Sequence, residues 1–334
     1  MPQPESFAQM GKVAAIRRLY EGTPFSADSA AVFDTSGAAR LAHASALMSE
    51  GIDFDLSYFP LKHLGHKSIS AVSGSLYASL AQPRSLSAIV GVSSKLDFPQ
   101  IGELWSGMVT AARDYGYSGV ALDLVPSING LTISVSAMGE AAPDAFAGAA
   151  QSKDLICVSG CLGAAYLGQR LLEREKKALS QTGASAGDIP ALETYRMIVG
   201  DYLRPEIPVG LPSSLAGSGI RPVYGDFVTK GLSDSVLRLS QKTGLGVKIY
   251  AEKIPFEGNS FQLGRELDID PVSAAMNGGD DYRVLYVVPI MEAERFRHDF
   301  QTFDIIGHMA LPEAGCSLVT PEGVELPITA QGWE

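Results

Sequence analysis

A stretch in the middle of the chain is arranged for chemistry. An apolar strand-like run, Asp154 to Ser159, leads into Gly160-Cys161-Leu162-Gly163 and then into a helix expected from Ala164 to about Leu179. A glycine turn at a helix start presents backbone N–H groups that can hold a phosphate. Cys161, at the helix start, is placed for a lowered thiol pKa, whereas Cys157 falls within the strand and reads as a buried side chain. With Cys316 the chain has three cysteines, an odd number too small for a disulfide framework, which fits a reducing compartment. The five histidines show no metal-ligand spacing, and no Walker-type phosphate loop is present.

Elements must position these residues, and the hydrophobic pattern outlines them. Ile101, Leu104, Trp105, Met108, Val109 and Ala112 share one face of a helix over 101–116 that Gly116 closes. Around it, 86–92, 119–125 and 131–137 read as strands, and the turn Pro126 to Gly130 joins the last two as a hairpin. This half is expected to be a mixed sheet with helices on one face. Between Gly139 and Ser152 the composition turns to Ala, Pro, Gly and Ser, which sets a boundary between domains of 1–145 and 146–334. Beyond it, a helix at 233–243 and strands at 247–251, 283–288 and 303–307 alternate as α/β. Residues 180–222 are rich in Ser, Gly and Pro apart from a helix over 191–203, and read as a surface excursion.

The 334 residues suit two domains, and 46% hydrophobic against 19% charged residues is enough to bury their cores. The net charge of −11 disfavours nucleic acid as a partner. No basic-then-apolar start and no run of about 18 apolar residues is seen, so no membrane association and a cytoplasmic location are expected.

Ordered landmarks spread along the whole chain make it resemble the bacterial thiamine-monophosphate kinases, within the superfamily of aminoimidazole ribonucleotide synthetase (PurM-like). They are ADSAAVF at 27–33, EGIDF at 50–54, PLKHLGHKS at 60–68, ALDLVPSINGLTISVSAMGE at 121–140, ICVSGCLGAAYLG at 156–168, TKGL at 229–232, NGGDDY at 277–282 and AQGW at 330–333. The resemblance implies an α+β N-terminal domain whose mixed sheet joins a partner's in a dimeric barrel, and an α/β C-terminal domain. It also implies Mg²⁺ and ATP as cofactors, thiamine phosphate as substrate, and a homodimer. Phosphoryl transfer there depends on positioning and on charge neutralisation by Mg²⁺ ions held on aspartates.

Carried over residue by residue, that machinery is depleted. The first acidic motif keeps one carboxylate, Asp28, and Ala46 replaces the next metal aspartate. Asp53 stands at a substrate-contacting histidine, where an ionised carboxylate repels a phosphate. Ser75 occupies the place of a shared metal aspartate, in a segment, Val72 to Ser75, matched to one that precedes a helix. Asp123 retains its carboxylate in altered surroundings, and residues 141–153 lack an arginine expected to meet ATP. Phe227 and Lys230 fall at two metal aspartates, although a one-residue shift would return Asp226 to the first. Asp280 and Arg283 replace two glutamates, and Trp333 is kept where an aromatic stacks on thiamine.

The resulting expectations are vestigial metal ligands Asp28 and Asp123, nucleotide contacts at Asp123, Gly160, Thr229 and Lys230, and substrate contacts at Asp53, Asp280 and Trp333; no residue is assigned catalysis. Asp28 and Asp123 also suit plain turn or capping roles. Lys230 is expected to neutralise Asp123 or Asp28 in place of lost metals, and His63 and His66 to be structural. Three functions stay open: a silent kinase homologue acting as a dimeric binding protein, a kinase with fewer metals, or a cleft remodelled for another anionic or aromatic small molecule.

Overall fold

The computed structural model describes residues 31–34, 39–182 and 190–330. Its first sheet contains β1 (Ala31–Asp34), β2 (Arg40–Ser49), β3 (Gln82–Ser93), β4 (Gly119–Ser127) and β5 (Thr132–Ala141), in the order β1-β2-β5-β3-β4. Alternation sends Ala42, Ala44 and Met48, Leu86, Ala88 and Val90, and Ile133, Val135 and Ala137 into the core. Two helices cover that face, α1 (Leu61–Ala78) and α2 (Phe98–Asp114). The capping box of Asp97 and Gln100 starts α2. Gly65 and Gly107 let the helices touch backbone to backbone, since a Cβ at either would lie 2.0 or 1.9 Å from the other helix's carbonyl oxygen.

The expected hairpin of β4 and β5 does not form. β4 runs parallel to β3, while β5 pairs antiparallel with both β3 and β2. Ser127 sits opposite Ser93 and Thr132 opposite Gly91, so the intervening loop steps over the end of β3. The interior position suits β5, whose apolar face is fully covered, and leaves β4 exposed at the edge.

Helix α1 is the element that hydropathy did not show. Its sequence is rich in Ser, yet it is almost wholly buried. Ser68, Ser70 and Ser73 donate to the carbonyls of Gly65, His66 and Ile69, which satisfies the hydroxyls inside the helix itself. Residues 72–75 therefore lie within this helix and not ahead of one. His66 is structural as expected: burial, reinforced by Arg204, lowers its pKa to about 4, and its Nδ1 lies 3.4 Å from the Ser70 hydroxyl.

The second sheet has β6 (Leu155–Ser159), β7 (Tyr224–Val228), β8 (Gly246–Tyr250), β9 (Arg283–Val288), β10 (Phe303–Ala310), β11 (Cys316–Val319) and β12 (Glu325–Pro327), in the order β12-β11-β8-β10-β6-β9-β7. The helices in this half are α3 (Ala164–Thr182), α4 (Pro190–Thr194), α5 (Arg196–Leu203), α6 (Leu211–Ser218), α7 (Leu232–Thr243), α8 (Ser260–Leu267), α9 (Pro271–Asn277) and α10 (Ala293–Asp299). Much of the expected surface excursion is instead core. Ile198, Tyr202, Ile207, Leu211, Leu215 and Ile220 are buried, because short helices concentrate the few apolar residues of a polar stretch on one side. Among the described residues no helix is long and apolar enough to cross a membrane.

Candidate functional site

Helix α1 lies along β7 and β9, so the two sheets meet on its surface. Midway along it is Lys67, with no exposed surface. Its Nζ donates to the Tyr202 carbonyl at 2.8 Å and to Asp280 Oδ2 at 3.1 Å. It sits 4.0 Å from the centre of the Tyr202 ring and 5.4 and 5.5 Å from those of Phe59 and Tyr282. Burial pushes the ammonium pKa down, and the charges of Asp280 and Asp53 oppose that shift. Two expected substrate residues, Asp53 and Asp280, are thus brought to one lysine. Asp53 also closes its own loop by accepting the Ser49 N–H at 2.8 Å.

The loop carrying Asp280 is held from both sides. Asp280 and Tyr282 have φ of +62° and +53°, a left-handed backbone that costs energy for such residues. The Asp280 N–H donates to the Thr229 carbonyl at 2.8 Å, which ties this loop to the one bearing Lys230. Asp281, wholly buried, accepts the N–H groups of Gly163 at 2.9 Å and Ala165 at 3.4 Å. Arg283 donates to the carbonyls of Cys161 and Glu206 and to Asp201, at 2.9, 3.1 and 2.8 Å.

These contacts correct the reading of Gly160 as a phosphate cradle. The Gly160 and Leu162 N–H groups donate to the carbonyls of Thr302 and Pro255, and the start of α3 is already occupied by an acceptor, the Asp281 carboxyl group. Nor is the Cys161 thiol activated, since burial raises its pKa despite Arg283.

Burial outweighs those two N–H bonds at Asp281 and raises its pKa from 3.8 to about 7. The folded state therefore holds a proton that the unfolded chain releases at lower pH. This contribution to stability is full below pH 3.8 and is lost as pH rises through about 7. Relative to the Asp281→Asn variant, the native chain is expected to lose about 4 kcal/mol across that window. Urea unfolding at pH 4.5 and pH 8 checks this, and equal slopes against pH in both proteins would refute it.

Near the end of α1 the contact is apolar. The Phe227 ring, 2% exposed, packs on Gly74 and meets the Tyr282 ring edge-on at 5.5 Å. Asp226 points the opposite way, as alternation on β7 requires, and lies 3.1 Å from Arg238 on α7. The residue that faces α1 is therefore Phe227, and the one-residue shift does not return Asp226 to the seam. Asp123 lies on the exposed edge strand, where its carboxylate accepts the Leu124 N–H. Among the described residues no ion pair joins Lys230 to Asp123; Lys230 is instead close enough to Lys67 to oppose its charge. Asp28 and Trp333 lie outside the described residues.

The described residues do not fit an Mg²⁺–ATP centre. Among the described residues no group of three or more His, Cys, Asp or Glu side chains could hold a metal ion. Mg²⁺ demands near-octahedral oxygen ligands, which Ala46, Phe227 and Lys230 do not offer. Two cavities remain beside α3. One, of about 440 Å³, is lined by Ile52, Phe54, Tyr58, Glu173, Lys176 and Tyr202 among others. The other, of about 360 Å³, is lined by Tyr166, Ile269, Ala274, Asn277 and Ala330 among others. Reasoning from the sequence missed Lys67, although its neighbours one turn away, Leu64 and Ala71, are apolar and mark an inward-facing lysine.

No family model matches the chain. It is 24% identical over 229 residues to a thiamine-monophosphate kinase of Methanopyrus kandleri, covering 68% of this chain and 67% of that one. To the thiamine-monophosphate kinase of Aquifex aeolicus it is 22% identical over 286 residues, covering 85% and 87%. Among solved structures, AaThiL complexed with AMPPCP and TMP superposes with a TM-score of 0.79 at 19% identity, covering 99% of both chains. The two-sheet α/β architecture is accordingly the two-domain PurM-like fold. Within that class the chain is similar in sequence to thiamine-monophosphate kinases, at 22–24% identity.

Proposed function

We propose that this chain has lost metal-dependent phosphoryl transfer and persists as a homodimeric small-molecule binding protein built on the kinase scaffold. The observation that carries this reading is the seam itself: at one aligned metal position the side chain facing it is the Phe227 ring, and Ala46, Ser75 and Lys230 bring no carboxylate at others. The C-terminal end of α1 also presents its carbonyls there, and a helix C-terminus repels an unneutralised triphosphate. The proposed domain division, 1–145 and 146–334, is supported by the connection between Ala141 and Leu155, where the chain leaves the first sheet for the second.

The dimer reading is supported by β4. Val120, Leu122, Leu124 and Val125 are 38–48% exposed on an unpaired edge, a surface that soluble proteins normally cover. The ligand reading is supported by the cavity beside Tyr166, lined in part by Asn277, whose Oδ1 is buried with no hydrogen-bond partner among the described residues.

Mixing the protein with Mg-ATP and thiamine phosphate is expected to release no ADP above the uncatalysed background. Calorimetry with a non-hydrolysable ATP analogue is expected to show no Mg²⁺-dependent binding tighter than about 1 mM. Turnover, or metal-dependent micromolar binding, would overturn the proposal.

A further inference from the structure

We infer that Gly74 and Phe227 form a matched plug, which locks α1 to β7 and holds the two halves as one closed body without a metal or nucleotide between them. A glycine inside a helix costs about 1 kcal/mol relative to alanine, so its presence in the closing turns of a buried helix calls for a reason. The reason is on the facing strand: a Cβ at residue 74 would lie 2.1 Å from two carbons of the Phe227 ring. No rotation of a flexible tip relieves such a contact, because the ring is itself buried and braced by Tyr282.

The fit is reciprocal. Two residues before Phe227, on the same face of β7, Gly225 has no side chain, and a Cβ there would stand 1.9 Å from the Ala78 carbonyl oxygen at the end of α1. The helix thus receives a ring from the strand, and the strand receives a carbonyl from the helix. Between these two sockets the Tyr286 hydroxyl donates to the Tyr77 carbonyl, which also accepts the Leu80 N–H just beyond α1. Two glycines, one aromatic ring and one hydroxyl define a seam in which each half is shaped to the other. This goes beyond the loss of phosphoryl transfer, and the experiment below reads stability and exchange, not turnover, so the two can fail separately.

A double-mutant cycle tests the plug. Gly74→Ala alone is expected to lower the melting temperature by about 2–4 °C, as an overpacked rigid contact should. In a Phe227→Ala background the same change is expected to cost nothing or to restore part of the loss, because the methyl then enters the vacated volume. Equal losses in both backgrounds would overturn the inference. Should Gly74→Ala alone fail to fold, recovery of soluble protein in the double variant supports the plug, and failure of the double variant when Phe227→Ala alone folds refutes it. Hydrogen exchange in a Phe227→Leu variant supplies a second reading in a milder background. Amides at the end of α1 and along β7 are expected to open together, and acceleration confined to one of them would count against the lock.

Discussion

Replacing Lys67 with alanine is expected to destabilise the protein by about 3–5 kcal/mol, a fall in melting temperature of roughly 4–7 °C for a chain of this size. Three losses coincide. The Asp280 carboxylate loses its cation, the Tyr202 carbonyl loses its donor, and the rings of Phe59, Tyr202 and Tyr282 surround an empty volume. Lys67→Met separates the charge from the packing. It fills the volume without the charge, and because Asp280 remains 29% exposed to solvent the methionine variant should recover part of the loss. Thermal melts of both variants check this; an alanine variant that melts with the native protein would show that the buried lysine contributes nothing.

A comparable or larger effect is expected at Arg283. Its guanidinium fans out to two carbonyls and one carboxylate from separate segments, and only 8% of the residue is exposed. Arg283→Glu restores the residue type that the resemblance suggests at this position. Here it would bury a carboxylate against two carbonyl oxygens, Asp201 and the neighbouring Asp281. A buried charge with no counterion costs several kcal/mol, so this variant is expected to be largely unfolded at 25 °C or to lose more than about 4 kcal/mol. Arg283→Lys, which keeps the charge but not the three-way fork, should fall between the two. Circular dichroism and urea titration report the outcome. If Arg283→Glu folds as well as the native chain, the turn has not been rebuilt around arginine.

Both expectations concern the same feature of the seam: its polar and aromatic groups meet one another. Asp281 serves as the acceptor at the start of α3, Lys67 as the cation beside Asp280, and Phe227 as the filler against Gly74. Such a cleft is satisfied internally, and the space it still offers lies to the side, along α3.

How much of this could be read in the chain depends on the range of the interactions. Helix α2, with its apolar stripe, and the strands β3, β5, β6, β9 and β10 were legible because hydropathy at a period of 3.6 or 2 is a local property. The depletion of carboxylates at the aligned motifs was legible too, since an alanine or a phenylalanine cannot ligate Mg²⁺ in any fold. The strand order was not, because a five-residue turn permits either a hairpin or a step over β3, and only the covering of β5 by the helices selects the second. The Lys67 site was equally hidden. Its hydrogen-bond partners lie 135 and 213 positions away, and the same side chain on an uncovered helix would be a solvated surface lysine. Residue chemistry alone determined which side chains stand at the aligned positions; which of them pack together was decided by the tertiary structure, because burial makes charges and rings find partners among whatever side chains the fold brings within reach.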